Sequence, residues 1–361
     1  MRDGIRHGRL ARMWLAGAIA LLAACEGRAQ DEALAMLPPM PGPDVPMARC
    51  MNMGNALEAP REGAWGPAIT RADVRAVAAE GFDTIRLPVR WSAHLDARGG
   101  IDPRFLARVD EVVRWALAED LNVIVNVHHF EALMRDPDAQ LPRLHGIWAQ
   151  LSRHYADWPD SLIFELVNEP SEAFDQRRVN RFNAEALEGI RRSNPERWVI
   201  LGGANWGTIT PFESGAEPGV EVPGGEYLDP RIIATFHSYT PYEFTHQGVF
   251  FSDDPPPVGR ALDPVADRAA IRAEMTAARQ WTERTGVPMF LGEFGAFIRT
   301  IPQDQRASWT RIMREEAEAH GVSWCYWDWQ TEFAYVDAVS KRPLPGMREA
   351  LFARDAARGL R

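Results

Sequence analysis

Residues 162–170 read Leu162-Ile163-Phe164-Glu165-Leu166-Val167-Asn168-Glu169-Pro170. Apolar side chains fill nearly every position up to Val167, so the segment lacks the alternating polarity of a strand wetted on one face. A short, almost continuous apolar run fits a strand covered on both sides, as in parallel sheets. The run then ends in an amide, a carboxylate and a proline, which turn the chain out of the strand. By the two-residue period of a strand, Glu165 points away from Phe164 and Leu166 and is expected to pair with an arginine on its own side.

Working outward, seven further apolar runs recur at residues 49–54, 84–89, 122–128, 198–203, 232–239, 288–295 and 323–329. Stretches of helical periodicity alternate with them, at residues 71–80, 103–119, 144–156, 175–193, 267–285, 303–320 and 347–357. Thr70 with Asp73, and Asp102 before Pro103, have the pattern of helix starts, while Gly81, Gly286 and Gly321 stand where helices stop. Eight strands alternating with helices predict an α/β fold, a single-domain (β/α)8 TIM barrel over residues 48–361. The crossover through 205–231 is irregular and the loop 240–263 is long and proline-rich. Barrels build their clefts from such loops at the C-terminal ends of the strands.

The first 24 residues carry Arg2, Arg6, Arg9 and Arg12 ahead of an apolar run from Met13 to Ala24. That run is too short for a permanent membrane span and fits a signal peptide. Leu22-Ala23-Ala24-Cys25 resembles the lipobox of bacterial lipoproteins, which would make Cys25 the lipid-anchored first residue of the mature chain. Cleavage after Ala29 is the alternative, and either route exports the protein, to the outer membrane, the periplasm or the medium. Residues 25–47, with Pro38-Pro39-Met40-Pro41-Gly42-Pro43, read as a tether. Beyond Cys25 only Cys50 and Cys325 remain, on the first and last predicted strands. Export permits a disulfide, but adjacent strands seldom offer its geometry, so two buried thiols are expected.

The formal net charge of -10 argues against nucleic acid or an anionic membrane surface as a partner. A neutral polymer is compatible with it, and a monomer is expected. The 13 tryptophans serve packing or sugar stacking. Trp91, Trp115, Trp148 and Trp198 fit core faces; Trp65 and Trp206 fall in loops after strands. His145, His154 and His320 lie on helical stretches and are expected at the surface.

Polar residues gather at the C-terminal ends of the apolar runs: Asn52, Asn55, Arg86, His128, His129, Asn168, Glu169, His237, Tyr239 and Glu293, with Trp327 beside them. Charged groups at a barrel mouth cost free energy unless paired, so their gathering at one end requires a reason. Glu169 and Glu293, three strands apart across one mouth, fit glycoside hydrolysis, in which one carboxylic acid protonates the leaving oxygen and one carboxylate attacks the anomeric carbon. Arg86 and the Tyr239 hydroxyl would favour ionised Glu293, and a less polar setting would keep Glu169 protonated.

The stretches Met51-Asn52-Met53-Gly54-Asn55-Ala56-Leu57-Glu58-Ala59-Pro60, Ile85-Arg86-Leu87-Pro88-Val89-Arg90-Trp91, Val127-His128-His129, Asn168-Glu169-Pro170, His237-Ser238-Tyr239, Leu291-Gly292-Glu293-Phe294-Gly295 and Tyr326-Trp327 together resemble glycoside hydrolase family five, the cellulase family of clan A. The resemblance runs in family order from about residue 48 to 350. It implies Glu169 as acid/base, Glu293 as nucleophile and Asn168 on the sugar 2-hydroxyl. It also implies Arg86 and Tyr239 as orienters of Glu293, His128 and His237 as walls of the catalytic subsite, and Trp327 as the platform beneath the sugar. The family uses neither metal nor organic cofactor. Members with similar opening stretches and a segment like Phe244-Thr245-His246-Gln247-Gly248 act on glucan and mannan. By that likeness Asn55, Glu58, His129 and His246 contact sugar, and Phe251 stands where such members carry a tryptophan.

The expected function is a retaining endo-β-1,4-glucanase on plant-type β-glucan. A β-mannanase or a glucomannan- or xyloglucan-active hydrolase is the nearest alternative. A non-catalytic exported polysaccharide-binding barrel comes from a different class, and a metal-dependent hydrolase built on His128-His129 is a third.

Overall fold

The computed structural model describes residues 45–225 and 228–353. The expected signal peptide, Cys25, most of the expected tether and the end of the helix expected at 347–357 lie outside the described residues. The chain divides into residues 1–41 and 42–361, and the architecture below belongs to the second unit.

Among the described residues eight parallel strands each pair with their sequence neighbour, and the last pairs with the first, closing a barrel. They are β1 Arg49–Asn52, β2 Thr84–Leu87, β3 Asn122–Asn126, β4 Leu162–Glu165, β5 Val199–Gly202, β6 Ile232–His237, β7 Met289–Phe294 and β8 Ser323–Tyr326. Each is shorter than the apolar run that announced it, and Asn52, Arg86, Asn126, Glu165, His237 and Glu293 stand within the strands themselves. His128, Asn168, Glu169 and Trp327 all lie just past a strand end.

The helices Arg71–Glu80, Pro103–Leu117, Gln176–Arg191, Ala266–Thr285 and Gln303–Ala319 fall where periodicity placed them. The first is closed by a capping box between Thr70 and Asp73 and stopped by Gly81 in the left-handed region. The helix expected from residue 144 starts earlier, as Pro137–His154 with Asp136 at its N-cap. Leu144, Ile147, Trp148 and Leu151 carry its buried face, whereas Pro142 interrupts the pattern in the earlier turns. His320, expected at the surface, is buried at 7% exposure, with its Nδ1 2.7 Å from the Glu316 carbonyl oxygen.

Alternation along the strands sorts the core into two clusters. Val123 and Val125 pack outward toward the helices, while Ile124 joins Ile163, Ile200, Ile233 and Phe290 in an apolar plug inside the barrel. Cys50 and Cys325 belong to this plug, and they form a disulfide rather than the two thiols expected. They sit opposite each other in the β1–β8 register, with Cα atoms 4.1 Å apart. Both side chains point to the axis of a curved sheet, so they converge where a flat sheet would hold them side by side.

Candidate active site

The layer above the apolar plug is polar and centres on Arg86, which is fully buried. Its Nε and Nη2 donate to the two oxygens of Glu165 at 2.6 Å each, confirming the arginine partner expected for that residue. Nη2 also donates to Asn168 Oδ1 at 2.8 Å, and Nη1 to Asn52 Oδ1 at 2.9 Å and Glu293 Oε1 at 2.7 Å. These contacts match the five N–H donors of a guanidinium. Asn126, not singled out from the sequence, reaches Glu165 Oε1 at 3.3 Å and His128 Nδ1 at 3.1 Å. Burial pushes the Glu165 carboxyl up, but the charge and hydrogen bonds of Arg86 outweigh it and hold the group below its ordinary value.

Glu293 reaches the axis through an irregularity. Strict alternation after inward-facing Phe290 would place Gly292 inside and Glu293 outside. The pairing of β7 with both neighbours shifts register here, between Phe236 and His237 and between Leu291 and Phe294. Bulges of this kind re-aim side chains next to active sites. Glycine at 292 is required by close approach, since a Cβ there would lie 2.7 Å from Thr235 Oγ1 and 2.9 Å from His237 Nε2.

Glu293 Oε2 accepts from the Tyr239 hydroxyl at 2.8 Å. His237 Nδ1 lies 2.8 Å from Glu169 Oε1, within hydrogen-bond reach, and 3.7 Å from Glu293 Oε2, close enough for charge attraction alone. Oxygens of Glu169 and Glu293 and the His237 nitrogen all fall within 4.8 Å of one another. The Glu293 side chain is 6% exposed and that of Glu169 28%, so one acid is enclosed and the other open to solvent. Glu169 holds a left-handed backbone, φ 43°, of the sort stored at functional sites. The less polar setting expected around Glu169 is not found, because its nearest partner is the His237 ring.

Burial pushes the Glu293 carboxyl above its ordinary value, with His237 and Arg86 pulling the other way. Burial lowers His237, but the Glu293 and Glu169 carboxylates outweigh it and hold the ring above its ordinary value. Burial keeps the Tyr239 hydroxyl protonated, as a donor must be. Burial, with the neighbouring positive groups, holds His128 neutral.

His128 lies parallel to Trp327 with centroids 5.7 Å apart, and His129 stands edge-on to it at 4.8 Å. Trp65, 44% exposed, meets His129 at 5.4 Å. On the other side His246 lies edge-on to Tyr239 at 4.8 Å and near exposed Phe251 at 6.3 Å. Trp206 is 57% exposed beside the loop glycine whose Cβ would meet Glu169. Asn55 and Glu58 are engaged internally. Glu58 accepts from the Asn55 and Ala56 backbone, and Asn55 Nδ2 donates to Thr331 Oγ1 at 2.5 Å.

Glu169, His237 and Glu293 have the spacing of a metal-ligand group. However, the Arg86 guanidinium already places a cation 2.7 Å from Glu293, and His237 is bonded to Glu169. The donor set is satisfied as an acid pair with its own positive partners. His128 and His129 do not join a metal-ligand group among the described residues.

The family model described as cellulase (glycosyl hydrolase family 5) matches residues 49–333. Endoglucanase H of Acetivibrio thermocellus is 31% identical over 282 residues, covering 77% of this chain and 29% of that protein. Endoglucanase A of Clostridium longisporum is 29% identical over 310 residues, covering 77% of this chain and 57% of that protein. The chain thus spans less than two thirds of the length of either relative. Among solved structures, Thermotoga maritima Cel5A in complex with cellobiose matches with a TM-score of 0.80 at 35% identity, over 85% of this chain and 98% of that one.

Proposed function

The chain belongs to the cellulase family, glycosyl hydrolase family 5, and from that membership and the geometry above we propose that it is a retaining endo-β-1,4-glucanase. The observation that carries the reading is the pair Glu169 and Glu293, with oxygens within 4.8 Å. Retaining glycosidases hold their carboxyl groups roughly 5–5.5 Å apart, and inverting ones leave room for a water between them.

In the first step Glu293, charged and held by Arg86 and Tyr239, attacks the anomeric carbon and forms an ester bond to it. The glycosidic C–O bond breaks, and the proton of Glu169 passes to the leaving oxygen. In the second step Glu169 takes a proton from water, whose oxygen attacks the same carbon and releases Glu293. The openness of Glu169 suits a group that must meet first the leaving group and then water. Asn168 turns its Oδ1 to Arg86, which leaves its amide NH2 for the sugar 2-hydroxyl. Trp327, held parallel to His128, offers a flat ring suited to the apolar face of a sugar.

A mannan backbone is the second reading, favoured by one observation: a structure of the Thermotoga maritima Cel5A relative holds mannotriose. Export belongs to the proposal as well, with Cys25 as lipid anchor, and the Cys50–Cys325 bridge supports it because such bonds persist in oxidising compartments. The mass of the mature N-terminus checks the anchor.

The deciding measurement is a hydrolysis panel of carboxymethylcellulose, mixed-linkage β-glucan, glucomannan, xyloglucan and mannan, with product sizes followed over time. Internal cleavage of β-1,4-glucan, with the first-formed product keeping the β configuration, is expected. Inversion at the anomeric carbon, or no reducing-sugar release from any of these polymers, would reject the reading.

A further inference from the structure

The machinery described so far faces the barrel axis, but the outer side of the segment after β6 carries a second arrangement. Residues 237–240 keep the alternation of an extended chain. His237 and Tyr239 face the axis, where they meet Glu169 and Glu293. Ser238 and Thr240 face the other way, and there both hydroxyls donate to a single carboxylate, Glu274 of the helix Ala266–Thr285. Ser238 Oγ takes Oε2 and Thr240 Oγ1 takes Oε1, so Glu274 grips the residues on either side of Tyr239 at once.

A carboxylate this enclosed is costly unless its oxygens are bonded. Burial raises the Glu274 carboxyl above its ordinary value, and Glu213, the other charged group facing it, adds to the rise; the two hydroxyl bonds oppose them. The surrounding bonds hold the backbone of the segment, and Thr240 N also donates to Ser238 Oγ at 3.4 Å, while the two outward hydroxyls give their own protons to Glu274. Ser238 N donates to the Glu293 carbonyl oxygen at 3.0 Å, Thr245 Oγ1 to the Tyr239 carbonyl oxygen at 2.6 Å, and Trp309 Nε1 to the Thr240 carbonyl oxygen at 3.0 Å.

We propose that Glu274 is a positioning residue for the nucleophile: by clamping Ser238 and Thr240 it fixes the Tyr239 hydroxyl on Glu293. It acts from outside the barrel, through the strand, and touches no substrate. The proposal rests on Glu293 being the nucleophile. Its reach is set by how steeply catalysis depends on placement, since a displacement of about 1 Å can cost about 100-fold in rate.

The test compares the full-length wild type with Glu274→Ala, Glu274→Gln and the double variant Ser238→Ala/Thr240→Val, using an aryl cellobioside. Glu274→Ala and the double variant are expected to lose about tenfold in kcat with KM within about twofold. The acidic limb of kcat/KM should move to higher pH in both, because Glu293 loses a donor that favours its charged form. Glu274→Gln should stay within about threefold of wild type, since its amide can accept from one hydroxyl and donate to the other.

A folded Glu274→Ala protein with wild-type kcat and an unmoved acidic limb overturns the clamp, and so does a lowered Tm with both unchanged. If Glu274→Ala does not fold, the double variant decides by the same criteria. Inactivity of the wild type on every substrate of the panel would overturn the hydrolase reading and the clamp with it. An active wild type with unaffected variants overturns the clamp alone.

Discussion

Arg86 directs its donors to side chains on β1, β4 and β7 and to Asn168 beyond β4. Removing one partner of a buried charge pair leaves the others uncompensated, at about 3–5 kcal/mol. Lysine has the charge but not the planar fork, so Arg86→Lys is expected to lose about 3 kcal/mol in chemical denaturation. Its acidic limb of kcat/KM should also rise, because Glu293 is less well paired; an unmoved limb would show that Arg86 does not sustain the charged carboxylate. Glu293→Ala should abolish turnover on all substrates. Glu169→Ala should lose roughly 10²–10⁴-fold on polysaccharide, the usual range for a general acid, yet azide should accelerate it on aryl glycosides whose leaving group needs no proton. Wild-type turnover by Glu169→Ala on cello-oligosaccharides contradicts the assignment. These residues were legible because each breaks the rule that a buried strand ends in apolar or turn residues. Asn126 was not, since an asparagine inside an apolar run looks like its edge, and Glu274 was not, because a carboxylate on a helix is ordinarily solvated.

The loops after β1 and β8 form an element of their own. Glu58 accepts from the Asn55 and Ala56 backbone, Asp328 accepts from Thr331 N at 3.0 Å, and Asn55 Nδ2 spans to Asp328 at 3.4 Å. Burial lifts Glu58 from 4.5 to about 8 and Asp328 from 3.8 to about 7. A raised folded-state value means that the native form binds more protons than the unfolded form between the two limits. The stability these acids contribute is therefore present below about 4 and lost as pH rises through about 7 and 8. Tm is expected to fall across that window, and Glu58→Gln, which cannot ionise, should flatten the fall; an equal slope in the variant would show that Glu58 is ionised throughout. Strand and helix positions were legible because continuous apolar runs and helical periodicity are both local signals. The bulges at β6 and β7 were not, because a register shift is a property of two strands together.

At the scale of the whole molecule the barrel was readable by counting alternations, and the apolar plug follows from alternate residues of the same runs. The disulfide escaped because the flat-sheet geometry of adjacent strands does not describe a closed, curved wall. The plug lies beneath the Arg86 layer, away from Glu169 and Glu293. Cys50→Ser/Cys325→Ser should therefore lower Tm by several degrees, from a loss on the order of 4 kcal/mol, while leaving kcat/KM within about twofold. A large loss of activity without a loss of stability would show that the bridge shapes the mouth after all. The same bond joins the first strand to the last across 275 residues of sequence, so most of the polypeptide is a covalent ring. A ring can be opened once and remain one molecule: a single protease cut in any exposed loop between β1 and β8 leaves both pieces tethered, one band on a non-reducing gel and two after reductant.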